Sequence, residues 1–90
     1  MKSSFVDIGN RVKLCTDRIV CIIDADAEKV RRILQRHDLE RSSKLVIDAT
    51  SVKETKSLLI LDDGRVAISS MTSNVIIKRA DKDLSGELED

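Results

Sequence analysis

Ninety residues leave room for one domain, which on size scaling buries roughly 60–65% of its unfolded surface. Sixteen Lys plus Arg stand against sixteen Asp plus Glu, a formal net charge of zero on a chain in which 36% of residues are charged. There is no run of about 18 apolar residues, which excludes a membrane-spanning helix. No charged leader with a short apolar core opens the chain, so the expected compartment is the cytoplasm.

Composition narrows the function classes further. Leu, Ile and Val supply 27 residues while Phe5 is the only aromatic, so base stacking on aromatic platforms is excluded. Cys15 and Cys21 lie six apart without a CxxC spacing, and they read as small buried apolar residues of a reducing compartment rather than as a disulfide or zinc framework.

Turn signals divide a β-rich chain. Ser4–Ile8 and Arg11–Cys15 read as strands joined at Gly9-Asn10, where a leading Gly suits a type II′ hairpin. Arg18–Ile23 is a third strand. A long helix, about residues 26–38, follows: Ala27, Val30, Ile33, Leu34 and His37 form one stripe, with Glu28, Arg31, Arg32, Gln35 and Arg36 opposite. Asp24 and Asp26 are its candidate N-caps, and Glu28 is spaced to pair with Arg32. Leu45–Ile47 is a fourth strand. Ser57–Asp62 and Arg65–Ser69 make a second hairpin across Asp63-Gly64, read as a type I′ turn. Over Thr72–Ala80 a capping Thr72 or Ser73 competes with the β propensity of Val75-Ile76-Ile77, and the reading is a short helix. The expected fold is α+β: a small β-rich domain of about six short, mostly antiparallel strands, one long helix and a short C-terminal helix.

The runs Ile19–Ile23 and Leu58–Leu61 lack polar alternation, which calls for cover on both faces of a sheet. One helix and one short segment are little material for that, so the expected cover is a second copy of the chain.

Charge is unevenly placed. Residues 1–80 hold 15 basic and 11 acidic side chains, a balance of +4; residues 81–90 hold one basic and five acidic, a balance of −4. The domain is therefore expected at 1–80, followed by an acidic tail too poor in apolar residues to offset its ordering entropy, hence disordered. Catalysis has little to work with. His37 is the sole histidine and reads as a partly buried structural residue; Gly9, Gly64 and Gly86 are isolated, so there is no phosphate loop; Asp62-Asp63 leads into a turn, and Asp48 is a lone carboxylate at a strand end. The chain is read as a non-enzyme with no cofactor, metal or small-molecule substrate. The basic residues fall into two groups: Arg31, Arg32 and Arg36 on the outer helix face, and Arg18, Lys53 and Lys56 at strand ends and in a loop, where long cationic side chains reach phosphates.

The order of Phe5-Val6-Asp7-Ile8-Gly9, Arg18–Ile23, Val30–Leu34 and Leu45-Val46-Ile47-Asp48-Ala49-Thr50 resembles the RemA/RemB family of bacterial regulators of extracellular-matrix and biofilm genes. Ser69–Ser73 leading to Lys78-Arg79-Ala80 is similar to the RemB branch. The resemblance covers about Phe5 to Ala80 and implies an oligomeric, ring-shaped regulator that binds double-stranded DNA. It associates arginines at the start of the third strand and in the loop after Asp-Ala-Thr with DNA contact. Arg18 matches the first; at the second, Lys53 and Glu54 stand where paired arginines are expected. Lys lacks the bidentate fork of Arg, and Glu repels phosphate. The residues expected to contact DNA are thus Arg18, Lys53 and Lys56, with Arg31, Arg32 and Arg36 as a secondary surface. The alternative is an oligomeric protein-interaction module that has lost DNA affinity.

Overall fold

A computed structural model describes residues 4–80; the expected disordered tail at 81–90 lies outside the described residues. The elements run β1 (Phe5–Gly9), β2 (Val12–Cys15), a 3₁₀ turn (Thr16–Arg18), β3 (Ile19–Asp24), α1 (Ala27–Arg36), β4 (Val46–Ala49), β5 (Ser57–Leu61) and β6 (Val66–Ser69), then α2 at 73–80. The α+β class and the six short strands are as expected. No helix among the described residues is long and apolar enough to cross a membrane.

β5 organises the packing. It lies inside a four-stranded sheet of order β3-β5-β6-β4, antiparallel to both neighbours, while β4 pairs with β6 in parallel. Because successive side chains alternate faces, its apolar run serves two cores. Leu59 and Leu61 join Val6, Ile8, Leu14 and Ile76 on one face; Leu58 joins Val30, Leu34 and Ile68 on the other. At about 1.5–3 kcal/mol for each fully buried aliphatic side chain, covering both faces of this strand is the main local return on folding. The second face is covered by the β1–β2 hairpin and α2, so β5 needs no second copy of the chain. The expectation of too little covering material overlooked that the hairpin forms its own two-stranded sheet and lies on the larger one.

β3 behaves differently. It is an edge strand with a register shift between Ile19 and Cys21, so Val20 bulges and is 64% exposed. Cys21 is exposed and Cys15 only half-buried, against the expectation that both are interior.

Both turns form with different chemistry from that expected. Gly9 pairs with Val12, so the two-residue loop is Asn10-Arg11, with φ of 49° and 63°, the double left-handed pair of a type I′ turn. Gly9 (φ 112°) instead allows close approach: a Cβ there would meet the Ala49 carbonyl oxygen at 3.3 Å. At the second hairpin only Gly64 has positive φ (88°). Its N–H reaches the Leu61 carbonyl at 3.3 Å, and Leu61 N–H reaches the Arg65 carbonyl at 2.9 Å. This is a three-residue loop with Gly at the left-handed bulge position.

α1 is shorter than the expected 26–38. Asp26 caps it, accepting from the Lys29 N–H at 2.8 Å, and Val30 and Leu34 bury its inner face. His37 is the C-cap and exposed, not packed, and the chain turns away through Asp38 at φ 56°. Asp24, expected as a second cap for this helix, instead accepts from the Ser73 N–H at 2.8 Å and caps α2. That bond, then the Ser73 hydroxyl, outweighs the slight desolvation of this exposed group and, with Lys29 nearby, holds the Asp24 carboxyl below its ordinary value.

Two predictions follow from these contacts. The Ser69 hydroxyl donates to the Ile8 carbonyl at 2.6 Å and accepts from the Met71 N–H at 3.0 Å, pinning the hairpin and the approach to α2 to β6. Ser69→Ala should therefore lower urea stability by about 1–3 kcal/mol, the cost of unpaired buried polar groups. Because the folded-state pKa of Asp24 is lowered, its stabilising contribution is complete above the ordinary carboxylate value near ~3.9 and lost as pH falls through the lowered one. An NMR pH titration should find the Asp24 carboxyl midpoint below that value, with the α2 amides shifting in step, and Asp24→Asn should remove that step.

Candidate functional site

The sheet has two chemically different ends. β3, β6 and β4 run together against β5, so Asp24, Ser69, Ala49 and Ser57 share one end. Arg18, Leu61 and Asp62 lie at the other, where the Asp62 N–H reaches the Arg18 carbonyl at 2.8 Å. The first end carries the 50–56 loop, the β1–β2 turn and the start of α2. A network of short polar side chains ties these together: the buried Ser57 hydroxyl donates to the Met71 carbonyl at 2.6 Å, and Ser69 bonds Ile8 and Met71 as above.

The loop bearing Lys53 is held from beneath by Asp48. One carboxylate oxygen accepts from the Thr50 N–H at 2.9 Å and the Thr50 hydroxyl at 2.6 Å; the other faces the Arg41 guanidinium, at 3.1 Å from Nη2 and 3.2 Å from Nε. Burial would raise the Asp48 carboxyl, but the Thr50 hydroxyl and N–H together with Arg41 outweigh it and hold the group below the usual carboxylate range. Thr50 then accepts the Lys53 N–H on its carbonyl at 2.9 Å, and Ser51 takes φ 55° to close the turn. Asp48 thus organises a loop; the side chains around it are Thr50 and a cation.

The expected contact residues are not one patch. Arg18 stands at the far end of β5 from Lys53 and Lys56, separated by the strand's length of roughly 15 Å, and it pairs weakly with Asp62 at 3.5 Å. Lys53 and Lys56 themselves face different clefts. Lys56 lines one of about 520 Å³ together with Lys29 and Arg32, but Asp24, Asp26 and Glu54 line it too, so three cations meet three carboxylates. Arg31 turns to a third cleft beside α1 and pairs with Glu28 at 3.9 Å, the i,i+3 partner rather than the expected Glu28–Arg32 pair. Arg36 is exposed at the end of α1. Lys53 lines a cleft of about 410 Å³ that also receives Arg11 from the β1–β2 turn and Arg79 from α2. These two arginines were not singled out from the sequence, because nothing local marks them. Arg11 follows the Gly9-Asn10 turn signal and Arg79 sits on a segment of ambiguous period; only the hairpin-on-sheet packing brings both to Lys53.

The model of the RemA-like family, described as extracellular matrix regulatory protein A-like, matches residues 5–80. A Geobacillus kaustophilus (strain HTA426) protein is 33% identical over 79 residues, covering 88% of this chain and 87% of that protein. A Geobacillus sp. (strain WCH70) protein is 34% identical over 89 residues, covering 97% and 99%, and a Bacillus cytotoxicus protein is 28% identical over the same length and shares. All three are named as candidate regulatory proteins. The matched region takes in both hairpins, both helices and the loop that Asp48 organises, and on that match the chain belongs to the RemA-like family of extracellular matrix regulatory proteins.

Proposed function

We propose that this chain is a cytoplasmic, non-enzymatic transcriptional regulator that assembles with copies of itself, closing into a ring, and holds double-stranded DNA mainly by its phosphates. The observation that carries the reading is the loop at 50–53. A regulatory-family chain spends a buried threonine, a carboxylate and an arginine on fixing a short turn that presents Ser51, Val52 and Lys53 to solvent, and Lys53 is the charged one of the three. Arg18 and Lys53 match the positions at which the family resemblance implies DNA contact. Lys56 and the α1 arginines Arg31, Arg32 and Arg36 add exposed positive charge, although Lys56 and Arg32 share their cleft with three carboxylates.

Assembly is supported by β3. Its outer edge has no strand hydrogen-bonded to it among the described residues, and Val20 and Cys21 are exposed along it. An apolar edge with unpaired backbone groups is a template for another chain. If the β3 edge meets a different surface of the next copy, the contact is heterologous, and such contacts make a ring when the rotation between copies closes. A body of +4 per copy then becomes a continuous cationic track whose contacts add up along one duplex.

Two measurements test the reading. In a mobility-shift series on promoter-bearing duplex, the logarithm of the binding constant should fall with log salt by about 0.9 per phosphate neutralised. Arg18→Ala and Lys53→Ala should each weaken binding and shallow that slope while circular dichroism stays native. A multimer that ignores DNA at low salt would instead favour the alternative, a protein-interaction module. In light scattering, the wild type should exceed the 10.1 kDa of one chain several-fold. Val20→Lys, which places a charge on the β3 edge, should move the mass toward that value; an unchanged mass would remove β3 from the interface.

A further inference from the structure

We propose that Arg11, Lys53 and Arg79 together form the seat for a backbone phosphate of duplex DNA, in the cleft between the β1–β2 turn, the β4–β5 loop and α2. The inference rests on the DNA-binding reading and deepens it, assigning a contact role to two arginines to which neither the sequence pattern nor the family resemblance gave one.

Charge balance separates this cleft from its neighbour. Arg11, Lys53 and Arg79 are all exposed, and none of them takes part in an ion pair among the described residues, whereas Arg18, Arg31, Arg41 and Arg65 each do. The one carboxylate lining the cleft is Asp7, and one of its oxygens accepts the Gly9 N–H at 2.8 Å. Three cations against one carboxylate leave a positive concavity, where a phosphate gains more than over the balanced cleft of Lys56 and Glu54. Glu54, which replaces an expected arginine, lines the neighbouring cleft and not this one.

The cleft is also built, in the sense that each wall is held. Asn10 and Arg11 both occupy the left-handed region, which sets the direction in which Arg11 leaves the turn. Gly9 lets that turn approach Ala49 closely, since a Cβ would already be at 3.3 Å from its carbonyl oxygen. Lys53 is carried on the turn fixed by Asp48 and Thr50. Arg79 Nη1 donates a long bond, 3.4 Å, to the Asp7 carbonyl, leaving the rest of its donor fork for an anion. Three cations from three separate elements, pre-placed around one concavity, suit a phosphodiester group better than an isolated surface lysine does.

The experiment compares wild type, Arg11→Ala, Arg79→Ala and Lys78→Ala in duplex binding over a salt series, alongside an NMR titration of the wild type with inorganic phosphate. Lys78 neighbours Arg79 on the same helix but does not line the cleft, so its variant reports the effect of net charge alone. Arg11→Ala and Arg79→Ala should each lower affinity several-fold and shallow the salt slope by about 0.9 for every contacting copy, beyond whatever Lys78→Ala does. Phosphate should shift the arginine Nε–H resonances of Arg11 and Arg79. If the wild type binds duplex and the two arginine variants match Lys78→Ala in affinity and slope, the seat is refuted while the DNA reading stands. If the wild type binds no duplex yet phosphate shifts those resonances, the DNA reading falls and a seat for a free phosphate compound remains. If neither duplex nor phosphate binds, both are overturned.

Discussion

The structure depends on one constraint: β5 is apolar on both faces and sits inside the sheet. Leu58, Leu59 and Leu61 are buried, with Leu58 facing α1 and the other two facing the β1–β2 hairpin and α2. A strand of this kind cannot leave one face to water, so the chain has to supply a layer on each side. The three-layer arrangement follows from that, and so does the position of the hairpin turn. With Ile8 and Val6 fully buried beside Leu59, the turn at Asn10-Arg11 is carried to the end of the sheet where the β4–β5 loop and α2 also arrive. The cationic cleft is a by-product of covering β5, and the polar bonds of Ser69 and Ser57 fix its dimensions.

Electrostatics then divides a surface that composition makes appear uniform. Pairing, rather than number, distinguishes the cations. Arg41 supports Asp48, Arg65 closes its own turn against Asp63 at 2.7 Å, and Arg18 leans on Asp62. Exposed pairs of this sort contribute little to stability, but they do lower the charge available to an incoming anion. Lys29, Arg32 and Lys56 meet an equal number of carboxylates in one cleft, and Arg11, Lys53 and Arg79 outnumber theirs in another. The neutral total of the chain says nothing about either.

Local chemistry was readable where a residue acts on its own neighbours. Asp26 capping α1, Gly64 at positive φ in the second hairpin, and the Val30–Leu34 stripe all depend on positions within a few residues. The same reasoning misplaced Asp24, because an Asp two residues before one cap can equally cap a helix that begins 49 residues later. It misplaced Gly9 as well. Its role comes from its own φ of 112° and from the nearby Ala49 carbonyl, and not from a place inside the two-residue turn. It also took His37 as partly buried from its place on the helical stripe and Cys21 as buried from its apolar neighbours, although one is an exposed helix C-cap and the other lies on an edge strand.

Of the candidate site, Lys53 was legible because it lies in a loop between two clear strands, and the family resemblance pointed to the same place. Arg11 and Arg79 were not, since their significance is a distance across the fold, and no spacing along the chain encodes it. By itself the sequence determined the α+β class, the six strands, the two helices and the family, because hydrophobic period and turn residues act locally and in order. Only the tertiary structure decided that the chain covers β5 by itself, that β3 lies at an open edge with Val20 and Cys21 exposed, and which three cations share a cleft. Those depend on the order of strands in the sheet and on which layer lies over which face, and they are set by long-range packing.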